Sequence, residues 1–311
     1  MPRRAVTSII SYLVIYFIAA FTLAVGFDHP LIEILIPFFY IGIGLSLAAI
    51  LFRQDKIITN IEKPAAPKEP ALIILLIAWI GLYITFGSQF IDQLISPRIL
   101  QNPRAHFFLV VARKVLVFVL VPFLLYASLG FSLKNFGMGL SVKEIFTRRN
   151  NIIFLSFSIA VLFFQLYFST GGRNFRNESF SVIQVISASP RIFIWLFIEA
   201  GLVEEFFFRA LLQSRLAILF KSPAGGIVVS SLLLGLVHAP GLYLRGAGSE
   251  GIEESLPFIF FVVYTITYMS MAGIFLGILY HKTKNLWLVM AIHAMADLIP
   301  NFKEFAETWR F

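Results

Sequence analysis

The chain has 311 residues, 59% of them hydrophobic and 35 of them phenylalanine. That composition excludes an ordinary soluble domain, because uncharged stretches of about 20 residues recur along it, enough to cross a hydrocarbon core about 30 Å thick. The formal charge of +8 is weak ground for nucleic-acid binding, since surplus Lys and Arg in such a chain belong to cytoplasmic loops, and the absence of cysteine excludes disulfides, thiol catalysis and thiolate-bound metal.

The first apolar stretch (5–27) follows Arg3 and Arg4. It is longer than the apolar core of a cleaved leader and more spans follow it, so it reads as a retained first span. Further spans are predicted at 31–52, 71–91, 107–130, 151–169, 191–215, 226–243 and 257–281, with a short, more polar ninth segment at 285–300. The fold class is therefore all-α, a polytopic transmembrane helix bundle of eight or nine spans. The polar, proline-containing stretch 53–70 divides a two-span N-terminal extension (1–70) from the main membrane bundle (71–311). Arg113 and Lys114 interrupt the fourth segment, which predicts an interfacial start before that helix enters the bilayer. The segment 246–257 reads as a solvated acidic loop. A cytoplasmic N-terminus puts most loop cations on the cytoplasmic side, among them Arg3, Arg4, Lys134, Lys143, Arg148, Arg149, Lys221, Lys282 and Lys284, and the cell membrane is the expected location.

A charge at the bilayer centre costs about 2.5–3.5 kcal/mol even on the lenient insertion scale. Most such residues fall in the last third of the chain: Glu199, Glu204, Glu205 and Arg209 on the sixth span, His238 on the seventh, His293 and Asp297 on the last. Glu205 and Arg209 are four apart with the acid first, the favoured direction for an ion pair, and a structural role suffices to explain them. Glu204 points about 100° away from Glu205, so its partner must come from another helix. His293 and Asp297 share one helical face, while Gly201 and Gly235 stand about one turn before Glu204 and His238, where small residues let membrane helices approach closely.

This set of residues supports attack by water. A buried carboxylate acts as general base and a neighbouring imidazole orients the same water. His293 and Asp297 stabilise charge on a carbonyl oxygen if the donor is protonated. Otherwise Asp297 holds His293 in one tautomer, the preferred role because an ionised aspartate only accepts hydrogen bonds. The position of Glu204, about 20 Å from the outer end of its predicted helix, places the site nearer the cytoplasmic side. His238 precedes Ala239-Pro240 near the end of its span, where a histidine can simply satisfy freed carbonyls.

The stretches "EEFFFR" (204–209), "LGLVH" (234–238) and "HAMAD" (293–297), in order and on separate apolar spans, resemble the Glu-Glu-x-x-x-Arg, Phe-x-x-x-His and His-x-x-x-Asn motifs of the CAAX prenyl protease and bacteriocin-processing family of intramembrane proteases. The resemblance covers about 107–300 and leaves the first two spans and the linker outside. It implies a CAAX-protease-like core and a glutamate-dependent endopeptidase, with Glu204 and His238 activating water, His293 and Asp297 holding the oxyanion or substrate, and Glu205 and Arg209 shaping the site. Leu234, Ala210 and Asp297 stand where the family commonly has Phe, Gly and Asn.

The implied partners are the lipid bilayer and a membrane-embedded or membrane-associated protein or peptide, prenylated or otherwise lipid-proximal, with no nucleic acid. No cofactor is expected; the alternative is a zinc ion on Glu204, His238 and His293. Family members also serve as immunity factors and scaffolds, so a non-catalytic membrane scaffold is a second reading. A proton- or ion-coupled transporter is a third, since buried Glu and His also form relays, although no inverted repeat is visible.

Overall fold

The computed structural model describes residues 3–52, 67, 69–245 and 256–310, together with their side chains except those of Ser88 and Arg245. Nearly all of the 53–70 linker and of the 246–257 loop lies outside the described residues. Among those described, every regular element is helical.

Eight helices are long and apolar enough to cross a membrane: α1 (Arg3–Gly26), α2 (Leu31–Leu51), α3 (Glu69–Gly87), α4 (Pro103–Ser128), α5 (Arg148–Phe168), α6 (Val182–Leu219), α7 (Pro223–Arg245) and α8 (Phe258–Thr283). A ninth, α9 (Leu286–Leu298), has 13 residues, about 20 Å of rise, too short to cross alone and largely buried. The chain is a multi-pass integral membrane protein. Its outer helices turn apolar stripes toward lipid, as Ile10, Val14, Phe17, Ile18, Phe21 and Val25 do on α1. Side-chain caps fix several helix starts. Asn102 accepts from the Ala105 N–H ahead of α4, Thr147 from Asn150 ahead of α5, and Asn285 from Leu288 ahead of α9.

One helix differs from the sequence expectation in its start, and two others run on through residues that could have interrupted them. Helix α6 begins at Val182, not near 191, because Ser181 and Gln184 form a capping box and the helix runs on through Pro190. Helix α4 runs unbroken through Arg113 and Lys114, and both of these charges are paired: Arg113 Nη1 lies 2.5 Å from Asp92 Oδ1, and Lys114 Nζ lies 2.9 Å from Glu199 Oε1. Helix α7 passes through Pro240 to Arg245, close to the predicted span end at 243.

The antiparallel pair α7 and α8 forms the centre. A Cβ on Gly235 would sit 2.8 Å from the Thr265 carbonyl oxygen, and one on Gly201 would sit 2.7 Å from the Met290 oxygen. Near-contact of backbones therefore joins α7 to α8 and α6 to α9, as small residues in membrane helices allow. Helix α1 packs on α7 and α8, and the Tyr12 hydroxyl lies 3.3 Å from Ser270 Oγ. Helix α2 lies against α5 and α8, with Tyr40 donating to the Ala160 carbonyl at 3.0 Å. Glu69 and Arg215 form a buried pair that fastens α3 to α6.

Contacts between helix ends define two faces. Arg4 Nη1 donates to the Phe220 carbonyl at 3.1 Å and Asn285 Nδ2 to the Ile145 carbonyl at 3.3 Å, both on the face carrying the N-terminus. On the opposite face Arg173 Nη1 lies 3.3 Å from Glu33 Oε1, and Arg104 Nε donates to the Thr308 carbonyl at 3.4 Å.

Candidate active site

Glu204 and Glu205 sit on a short α-helical piece of α6, Val203–Glu205, between two stretches wound as π-helix, Phe197–Leu202 and Phe206–Gln213. Wide turns of this kind concentrate at functional sites. The flanking aromatics are core, not lipid-facing: Phe206, Phe207 and Phe208 are each at most 1% exposed.

The two carboxylates have different partners. Glu205 is fully buried and accepts from Arg209 Nε at 2.9 Å through one oxygen, while its other oxygen accepts from His293 Nδ1 at 2.7 Å. Arg209 also reaches Ser231 Oγ at 3.4 Å. Glu204 directs Oε1 toward His238 Nε2 at 3.7 Å and Oε2 toward His293 Nε2 at 4.0 Å. His238 Nδ1 lies 2.7 Å from the Leu234 carbonyl.

Tautomers follow from these partners. A carbonyl or carboxylate oxygen only accepts, so Nδ1 carries the proton on both rings. In the neutral rings both Nε2 lone pairs then face an acceptor-only carboxylate. A species donating to both sides relieves this, and a water at about 2.8 Å from each fits a 3.7 Å gap. His293 Nε2 is also 3.4 Å from Asp297 Oδ2. The group holding the His293 tautomer is therefore Glu205, not Asp297, which faces the other ring nitrogen. All the motif residues named from the sequence, Glu204, Glu205, Arg209, His238, His293 and Asp297, thus converge on one cluster.

Residues 187–299, which contain that whole cluster, match the family described as Type II CAAX prenyl endopeptidase Rce1-like. Residues 187–299 belong to this family. No curated protein and no solved structure matches the chain.

Residues both inside and outside the matched segment form the cluster's surroundings. Glu204, His238, His293 and Asp297 line a cavity of about 750 Å³. Its walls are Phe260, Tyr264 and Tyr268 of α8, Val161, Phe164 and Phe168 of α5, and Pro37 and Ile41 of α2. His29, Glu33, Thr170, Arg173 and Asn301 line it on the face opposite the N-terminus. The cavity therefore reaches that face, while Glu204 itself lies nearer the N-terminal-face end of α6. His29 Nε2 is 2.8 Å from the Tyr268 hydroxyl, so the α1–α2 turn is tied to the aromatic wall.

Lys114 of α4 is a further group near the CAAX cluster that the motifs do not contain. It pairs with Glu199, whose second oxygen accepts from Trp195 Nε1 at 2.7 Å, and its charge acts on Glu204 and Asp297. Its unusual place among apolar residues was the only sequence signal for it.

A zinc ion with ligands at about 2.0–2.1 Å in tetrahedral geometry needs donor atoms about 3.3 Å apart. The Glu204–His238 and Glu204–His293 separations are wider, 3.7 and 4.0 Å. Among the described residues no group of three or more His, Asp or Glu is arranged to hold an ion. As placed, these Glu204–histidine separations are wider than tetrahedral zinc requires.

Proposed function

We propose that this chain is an intramembrane endopeptidase that hydrolyses a peptide bond in a membrane-associated substrate, with Glu204 as general base. The observation that carries the reading is that both Glu204 oxygens face imidazole Nε2 atoms within one cavity beneath the apolar walls of α5 and α8.

Glu204 takes a proton from a water held between it and His238, and the water oxygen attacks the scissile carbonyl carbon. The carbonyl π electrons move to oxygen. His293, in its doubly protonated form, donates from Nε2 to that oxyanion while Glu205 fixes the ring through Nδ1, and Arg209 anchors Glu205. Collapse of the tetrahedral intermediate breaks the C–N bond, and Glu204 returns its proton to the departing amine. Products are a carboxylic acid and an amine, with one water consumed.

The apolar cavity walls and the family description support a prenylated or otherwise lipid-proximal peptide as substrate. The N-terminal face carries Arg3, Arg4, Lys143, Arg148, Lys221 and Lys282, which supports a cytoplasmic N-terminus in the cell membrane and a cavity opening on the other side. In proteoliposomes, wild-type protein should cleave a prenylated CAAX-type peptide and folded Glu204→Gln should not. Equal cleavage by the two would overturn the assignment.

A further inference from the structure

A second cavity, sharing no lining residue with the catalytic one, lies between α1 and α7 on the N-terminal face, with a volume of about 640 Å³. From α1 it is lined by Arg3, Arg4, Ser8, Ser11 and Ile15, and from α7 by Gly225, Val228 and Leu232. Its chemistry is graded along the helix axes. Two arginines stand at the membrane surface, hydroxyls occupy the next two turns, and Ile15, Val228 and Leu232 form the deepest part. From Arg3 to Ile15 is 12 residues, about 18 Å of helix, comparable to one leaflet of a hydrocarbon core about 30 Å thick. Arg4 is held across the mouth by donating to the Phe220 carbonyl at 3.1 Å, and Arg3 has no partner among the described residues. Gly225 keeps the crevice open where the helices are nearest, since a Cβ there would lie 3.3 Å from Ser8 Oγ and 3.2 Å from the Phe220 ring.

From this geometry we infer that the α1–α7 crevice binds an anionic glycerophospholipid, with its phosphate against Arg3 and Arg4 and an acyl chain descending toward Ile15 and Leu232. Charge complementarity selects the head group, and the apolar depth selects a lipid over a free phosphate. The site is independent of the proteolytic reading, because it shares no residue with the catalytic cavity.

The experiment uses full-length protein in neutral detergent, with retained lipid measured by native mass spectrometry and the unfolding midpoint read in parallel. Dioleoyl phosphatidylglycerol should be retained in preference to dioleoyl phosphatidylcholine and should raise the midpoint. A surface cation contributes about 1 kcal/mol toward an anionic lipid, about fivefold, so R3Q/R4Q should weaken phosphatidylglycerol binding roughly 25-fold. Ser11→Leu, which fills the crevice without changing charge, should also displace the lipid. Lys143→Gln with Arg148→Gln, on the same face but outside the crevice, should leave binding unchanged. Equal retention of the two lipids, an unaltered R3Q/R4Q, or an equal loss in the control pair would overturn the inference. Stabilisation by inorganic phosphate alone, equal to that by lipid, would also overturn it, by showing a phosphate site without a chain-binding crevice.

Discussion

His293 Nδ1 and Glu205 Oε1 are 2.7 Å apart although they lie 88 positions apart in the chain. The bond joins the pair Glu205–Arg209 to the ring that faces Glu204. An ion pair that alone reads as structural thereby sets the orientation of a group next to the reacting water. Adjacent acids in α6 divide the work, with Glu205 anchored on two sides and Glu204 left toward the cavity.

That division separates stability from activity. Glu205→Ala leaves the Arg209 guanidinium buried without its carboxylate and should cost about 3–5 kcal/mol in detergent unfolding. Glu204→Gln removes a charge with no cation at hydrogen-bond distance and should change stability by less than about 1 kcal/mol. Equal destabilisation by the two substitutions would contradict the division.

Lys114 and Glu199 are partly exposed, 33% and 20% at the side chain, so their pairing contributes little to stability, under about 1 kcal/mol. The charge on Lys114 acts on Glu204 and Asp297 across the cluster. Lys114→Met should lower kcat several-fold with the unfolding midpoint nearly unchanged, and Lys114→Arg should restore most of it. A collapse in stability with unaltered kcat would show a purely structural residue.

His29 lies in the α1–α2 turn beside the Tyr268 hydroxyl, Tyr264 and Glu33. Burial lowers its pKa below the usual histidine value, with the Glu33 carboxylate partly opposing. A folded-state pKa below the unfolded one means that protonation favours the open turn. The contribution is complete above the unfolded value of about 6.5 and is lost as pH falls toward the folded value. Because this turn lines the cavity, KM should rise as pH falls from about 7 to about 5, and His29→Gln should flatten that rise. A KM profile identical in the variant would remove His29 from the substrate wall.

The chain contains no cysteine, so single cysteines report topology cleanly. In intact cells a membrane-impermeant maleimide should label Thr170→Cys at the cavity mouth and reach Lys143→Cys only after permeabilisation. The reverse pattern would place the cavity on the cytoplasmic side.

Much of this was legible in sequence. Apolar length located all nine helices, and spacing identified the Glu205–Arg209 pair and the outlying Glu204. Gly201 and Gly235 marked the close approaches that join α6 to α9 and α7 to α8. Other features depend on interhelical register, which a linear pattern does not encode. Lys114 finds Glu199 from 85 positions away, and Glu205, not Asp297, takes His293 Nδ1. The early start of α6 was written in Ser181 and Gln184, but Pro190 masked it because proline usually begins or breaks a helix. The π-wound turns around Glu204 and the face on which the cavity opens left no local signature.

Single-turnover cleavage of a prenylated CAAX-type peptide in proteoliposomes, with wild type and Glu204→Gln at matched folded concentration, tests the central claim most directly. A general base accounts for about 10²–10⁴-fold in rate, so the variant should fall by at least about 100-fold while retaining the wild-type unfolding midpoint. Cleavage by Glu204→Gln within a few-fold of wild type would show that the carboxylate between the two imidazoles does not activate the water.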